Sequence, residues 1–268
     1  MQFTLLSLLA LSPLAVLASP AAVRSVPQEQ YPAVASRLAL SIATINAQPT
    51  AASDASENEA AVPTQGPGHA QVNAAMAARM TITFKNSHGD AISTVHVRDP
   101  SAPGPVSGNT APGKMADGSS AVVVFPPGWI GNIAVNDGAY SDTTGDESLI
   151  EANFVNSKGT INVSYVNGFS AAITCKCNEN NIYVGCNKNL YSLHKCNTSN
   201  GQNSCRNPSR NKDNGPADVF FAPCHGKGGA YTYPKDDNAN QLTWKCPSEQ
   251  YTCCVGSKCP PNPNQAHW

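Results

Sequence analysis

Charge is scarce in this sequence and close to balanced: charged residues make up 13% of the chain, and the formal net charge is −1. A nucleic-acid footprint needs a one-sided basic excess, so DNA or RNA binding is excluded as a function class. Past residue 18 there is no long uninterrupted apolar run, so no membrane span is expected. Neither paired C-x-x-C knuckles nor a mixed His/Cys pattern occurs, which removes structural zinc from consideration. His225 reads as a loop histidine, not a metal ligand. G-x-S-x-G is absent, and with it the serine nucleophile of a hydrolase elbow. Gly226–Gly229 is glycine-rich but lacks phosphate-loop spacing and a following helix, so it reads as a flexible loop. No metal and no cofactor is expected. Aromatics are also few, at 7%. The stretch Ser19–Arg79 holds only Tyr31, together with 17 Ala and no Cys. It has too little apolar surface to offset the entropy of ordering and reads as a disordered linker or propeptide.

What is present narrows the class further. Residues 1–18 carry a leucine-rich run ending on Val16, Leu17 and Ala18, the pattern of a cleaved secretory signal. Met80–Trp268 then remains as one domain with a single sizeable core. Within it, 80–151 carries 3 basic and 8 acidic residues, and 152–268 carries 11 and 6. We read this polarity as two ends of one domain that neutralise each other. All ten cysteines lie late: Cys175, Cys177, Cys186, Cys196, Cys205, Cys224, Cys246, Cys253, Cys254 and Cys259. An even count behind an export signal predicts five disulfides and a secreted, extracellular or wall-associated protein. Cys175 and Cys177, like Cys253 and Cys254, are too close to bridge each other easily, so each is expected to pair elsewhere.

Before the first cysteine, Met80–Phe84 alternates apolar and polar residues as a half-buried strand requires. Further strands are expected at 92–97, 121–125, 129–135, 161–166 and 171–174, separated by Pro- and Gly-rich turns and by Asn167-Gly168. No convincing amphipathic helix appears. The fold class is therefore mainly β: an antiparallel sandwich or barrel, followed by a disulfide-rich, loop-dominated C-terminal lobe. Reduction is expected to loosen 175–259 first and to leave the earlier strands partly formed. Asn162 and Asn197 lie in glycosylation sequons; Asn197 falls in a loop and is the better acceptor, whereas Asn162 falls in an expected strand.

Several segments together resemble the thaumatin-like (osmotin) family in a divergent, fungal-type form. Met80–Asn86 is similar to its first strand, and Pro127-Gly-Trp-Ile-Gly-Asn-Ile-Ala134 to its tryptophan-containing strand pair. Leu149–Phe154 resembles the stretch with the cleft glutamate, here Glu151. Val219-Phe-Phe-Ala-Pro-Cys224 and Ala230-Tyr-Thr-Tyr-Pro-Lys-Asp-Asp237 resemble its most specific block. The resemblance implies a flattened β-sandwich with cysteine-rich lobes, a cleft between them and a β-glucan ligand. The departures are equally informative. The family's usual sixteen cysteines become ten, its T-G-D-C signature has only an echo in Thr144–Glu147, and two cleft aspartates fall on Asn162 and Asn167. Glu151, Asp236 and Asp237 remain as candidate catalytic carboxylates. Glycoside hydrolysis normally takes two carboxyl groups, and Asn can only hydrogen-bond to hydroxyls. The expectation is a secreted monomer that binds β-glucan or another cell-wall polysaccharide without turning it over, through Asn162, Asn167, Tyr231 and Tyr233. A weak endo-β-1,3-glucanase using Glu151, and an effector that binds a host protein, are the alternatives.

Overall fold

The computed structural model describes residues 78–106 and 112–265. The signal at 1–18, and all but the last two residues of the linker at 19–79, lie outside them. Alternation builds the strands: in β1 (Met80–Asn86) Met80, Ile82 and Phe84 are buried while the residues between them are not. The same logic gives β2 (Ile92–Arg98), β3 (Ser120–Phe125), β4 (Trp129–Asp137), β5 (Ser148–Val155) and β6 (Lys158–Ser164). Next come the short β7 (Gly168–Phe169), β8 (Ile173–Cys177), β9 (Tyr183–Cys186) and a one-turn helix, α1 (Leu190–Leu193). The two-residue β10 (Cys205–Arg206) and β11 (Gln250–Val255) complete the set. No helix among the described residues is long and apolar enough to cross a membrane.

Two sheets enclose the core. One has the order β3-β1-β11-β8-β9 and the other β2-β4-β5-β6. Phe84, Phe125, Tyr251 and Val255 from the first share one buried cluster with Trp129, Ile133, Phe154 and Ile161 from the second. The mainly β, disulfide-bearing architecture expected from the sequence is present. Every pairing of named strands is antiparallel except β1 with β11, which is parallel.

The ten cysteines form five bridges: Cys175–Cys253, Cys177–Cys246, Cys186–Cys224, Cys196–Cys205 and Cys254–Cys259. Neither close pair bridges internally. Cys175 and Cys253 are register partners across β8 and β11, so this link lies inside a sheet. The cysteine-rich part is thus tied into the same sheet as β1. β11 runs between β1 and β8, and the sheet that begins the domain is completed only by its last strand. Phe220 and Phe221 are buried as core residues, whereas Trp244 stays 41% exposed.

Candidate functional site

The four-stranded sheet has one apolar face and one polar face. In β5, Ile150, Ala152 and Phe154 are buried in the core, which leaves Glu151 and Asn153 on the opposite side. Asn132 of β4 and Asn162 of β6 are the register partners of Glu151 on either flank. Directly opposed residues place their Cβ atoms about 4.5–5.5 Å apart. Asn132, Glu151 and Asn162 therefore form a continuous polar row across three strands. Asn153 pairs with Thr160 in the next row along.

The lobe closes over one edge of this face. Tyr231 docks against the outer edge of β6: its N–H donates to the Val163 carbonyl at 2.9 Å, and its own carbonyl accepts from the Tyr165 N–H at 2.8 Å. Burial, above all, raises the pKa of the Tyr231 hydroxyl. The negative charges of Asp237, Glu151 and Asp236 add to the shift, and a hydrogen bond with Asn240 opposes it. The Tyr231 hydroxyl thus lies within electrostatic reach of all three candidate carboxylates.

The carboxylates are not equivalent. Asp236 is 1% exposed, and its Oδ2 is held by the Thr232 N–H at 3.2 Å, the Thr232 hydroxyl at 2.9 Å and His225 Nδ1 at 2.8 Å. Such a group anchors a turn. Asp237 opens a single 3-10 turn, Asp237–Ala239, and is exposed. Glu151 is half-buried. Any hydrolytic pair would therefore be Glu151 with Asp237, and Asp236 would hold the loop.

Four buried oxygens near this junction have no hydrogen-bond partner within the protein: Oδ1 of Asn132, Asn162, Asp236 and Asn240. Buried acceptors are normally satisfied, and these four have no partner inside the protein. Asn132 and Asn240 escaped the sequence reading. The alternation of β4 placed Asn132 on the polar face, but only cross-strand register joins it to Glu151.

Other expected site residues fall differently. Asn167 lies beyond β6, where its carbonyl accepts from the Asn207 N–H at 3.0 Å, outside the Asn132–Glu151–Asn162 row. Tyr231 and Tyr233 do not share a regular strand. The Tyr233 ring stands 5.7 Å from His225, and it leaves no room for a side chain at Gly215, where an added Cβ would lie 2.6 Å from Cε1. Burial, then Asp236 and Asp237, raise the Tyr233 pKa, which puts this ring beside the same turn. Of the two sequon asparagines, Asn162 is 5% exposed within β6 and Asn197 is exposed in a loop. The echo at Thr144–Glu147 proves structural. Asp146, 2% exposed, accepts from Arg210 at 2.8 Å and Arg206 at 3.1 Å, while Glu147 caps the Thr144 and Gly145 amides. Among the described residues no cluster of three or more His, Cys, Asp or Glu is arranged to hold a metal ion.

No protein-family model and no curated protein matches the chain. Among solved structures, a laminaripentaose-producing β-1,3-glucanase in complex with laminaritetraose overlaps 50% of this chain and 54% of its own. The identity is 14% and the TM-score 0.35, so the chain spans about half the length of that structure. The protein elicitor MoHrip2 from Magnaporthe oryzae overlaps 39% of this chain and 76% of its own, at 14% identity and a TM-score of 0.27. Both are partial overlaps.

Proposed function

We propose that the domain is a secreted, thaumatin-like binding module that holds a β-linked cell-wall glucan along the polar face of its four-stranded sheet, without cleaving it. The observation that carries this reading is the Asn132–Glu151–Asn162 row with its unpartnered amide oxygens beside Tyr231. Sugar hydroxyls are donors as well as acceptors, and amide side chains meet both demands. Tyr231 and Tyr233 supply ring surface with a polar tip at the same junction. Two positions that carry aspartate in the resembled family are amides here, and Asp236 is committed to its turn. Machinery that places two free carboxyl groups across a glycosidic bond is thereby reduced, while the capacity to bind hydroxyls remains.

The test is retention of the secreted protein on insoluble β-1,3-glucan. Wild type is expected to be retained, and Asn162→Ala to lower affinity by about tenfold, the effect of leaving a buried polar contact unmade. Absence of retention at all protein concentrations refutes the reading. A second reading is weak endo-β-1,3-glucanase activity using Glu151, which stands half-buried on the polar face. Release of reducing sugar that disappears in Glu151→Gln would establish it. Under the binding reading Glu151→Gln stays on the glucan and no release is seen from either protein.

A further inference from the structure

Trp244 is held in a conformation its type disfavours, with a side chain the core does not use. Its φ is 56°, the left-handed region that glycine and asparagine enter far more readily than a bulky aromatic. The ring is 41% exposed, so burial does not account for a tryptophan at this position. The backbone around it is firmly anchored. Leu242, two residues before, is fully buried, and Cys246, two residues after, is bridged to Cys177. The Trp244 N–H donates to the Gly159 carbonyl at 2.9 Å. A rigid frame therefore presents an exposed ring, an arrangement that lowers the entropy lost when a ligand stacks on it.

The ring belongs to the polar face. Lys158, Thr160 and Asn162 alternate onto one side of β6, and the Lys158 ammonium stands 5.3 Å from the centre of the Trp244 ring. Gly159, between them, faces the other way: a Cβ there would meet the Glu249 carboxylate, the Tyr251 hydroxyl and Met80. Tyr231 docks at the Val163 and Ser164 end of β6 and Trp244 at the Gly159 end. Both take up the strand's outer edge. At about 3.3 Å per residue the two ends lie on the order of 15 Å apart. A single sugar unit is too short for that span, and an extended oligosaccharide covers it.

From this geometry we infer that Trp244, with Lys158 beside it, is a distal subsite that stacks against a pyranose ring of the same glucan chain held at Glu151 and Asn162. The inference rests on the glucan-binding reading and adds to it a ligand class: a segment several sugars long. The apolar face of a β-linked pyranose lies on the indole, and the Lys158 ammonium donates to its outward hydroxyls. Chain length is the consequence. Short oligosaccharides reach only the Asn162 end, and longer ones engage both ends.

The experiment compares laminaribiose with laminarihexaose, by titration calorimetry and tryptophan fluorescence, on the full-length protein. Wild type is expected to bind the hexaose more tightly than the biose, with a change in indole emission that the biose does not produce. Trp244→Ala is expected to lose about tenfold in hexaose affinity and less than twofold for the biose, and Trp244→Phe to recover most of the loss. Trp244→Gly is the folding control, since glycine is at ease at this φ, and it should match the alanine variant in binding. Equal hexaose affinity in wild type and the alanine or glycine variant overturns the subsite while leaving glucan binding in place. Equal losses for biose and hexaose also overturn it, because they assign Trp244 to the shape of the main cleft. If wild type binds neither oligosaccharide nor insoluble glucan, the functional reading and the subsite fall together.

Discussion

Nested disulfides stabilise less singly than their loop lengths imply, and here the nesting is deep enough to measure. Cys175–Cys253 closes a separation of 78 residues, and Cys177–Cys246, which closes 69, lies inside it. In isolation a loop of that larger size is worth about 4.5 kcal/mol of denatured-state entropy. With the inner bridge intact, the shortest covalent path that the outer one closes runs through only about 10 residues, for which the same relation gives about 2.7 kcal/mol. Once either bridge is gone, the survivor closes a path through Cys186–Cys224, about 30–40 residues long and worth about 3.8 kcal/mol. Paired Cys→Ala removal of one bridge should therefore cost about 2.7 kcal/mol, and removal of both about 6.5, so the two couple by about 1.1 kcal/mol. Packing losses from the missing sulfurs occur in single-pair and fourfold variants alike and cancel in the cycle. Guanidinium unfolding of Cys175→Ala/Cys253→Ala, of Cys177→Ala/Cys246→Ala and of the fourfold variant measures all three. Single-pair losses near 4.5 kcal/mol, or strict additivity, would refute the reasoning, and the single pairs decide alone if the fourfold variant does not fold.

Three further outcomes follow from the same structure. Because β11 lies between β1 and β8, titration with a reductant should remove far-UV β signal and glucan retention together; survival of the β signal after retention is lost would restore the two-region picture. His96 stacks on Trp129 at 5.0 Å; burial first, and the Arg98 charge second, hold its pKa down to about 4. Protonation thus favours the unfolded chain: this contribution to stability is complete above the ordinary value near 6.5, shrinks as pH falls and is gone below about 4. His96→Phe should flatten the stability profile between those limits by on the order of 1–2 kcal/mol, after allowance for solvent screening, as read from urea midpoints across pH. Finally, intact mass should fall by one glycan in Asn197→Gln and stay at the single-residue change in Asn162→Gln, if the host attaches glycans at all.

The part of the fold legible in the sequence is the part built from half-buried strands. β1 is bounded almost as the alternation of Met80–Phe84 implies, because one of its faces meets the core and the other does not. β11 went unread for a chemical reason. Tyr251, Cys253 and Val255 alternate onto the core just as Ile82 and Phe84 do, but cysteine in a cysteine-rich tail signals cross-linking before it signals burial. The candidate site divides along the same line. Glu151 and Asn162 could be named from local segments, yet their opposition across β5 and β6, with Asn132 on the far side, is a matter of register between distant stretches. Asp236 and Asp237 were indistinguishable as neighbours in sequence. Thr232 and His225 separate them by binding one carboxylate and leaving the other on the surface. The exposed Trp244 carried no sequence signal, since its meaning lies in a positive φ and in a partner 86 positions upstream, Lys158.

The parallel pairing of β1 with β11 also sets a timetable for the chain's assembly. Thr81 finds its partner only at Gln250, so about 170 residues must be made before the ladder can begin to zip. Until then β1 has β3 on one side and an open row of amides and carbonyls on the other, the kind of edge that invites pairing with a neighbouring chain. Cys175 and Cys177 meanwhile wait as thiols, with Cys186 emerging ahead of Cys224 and the Cys196–Cys205 pair already at hand for mispairing. The domain is therefore most exposed to misassembly in the interval before β11 arrives.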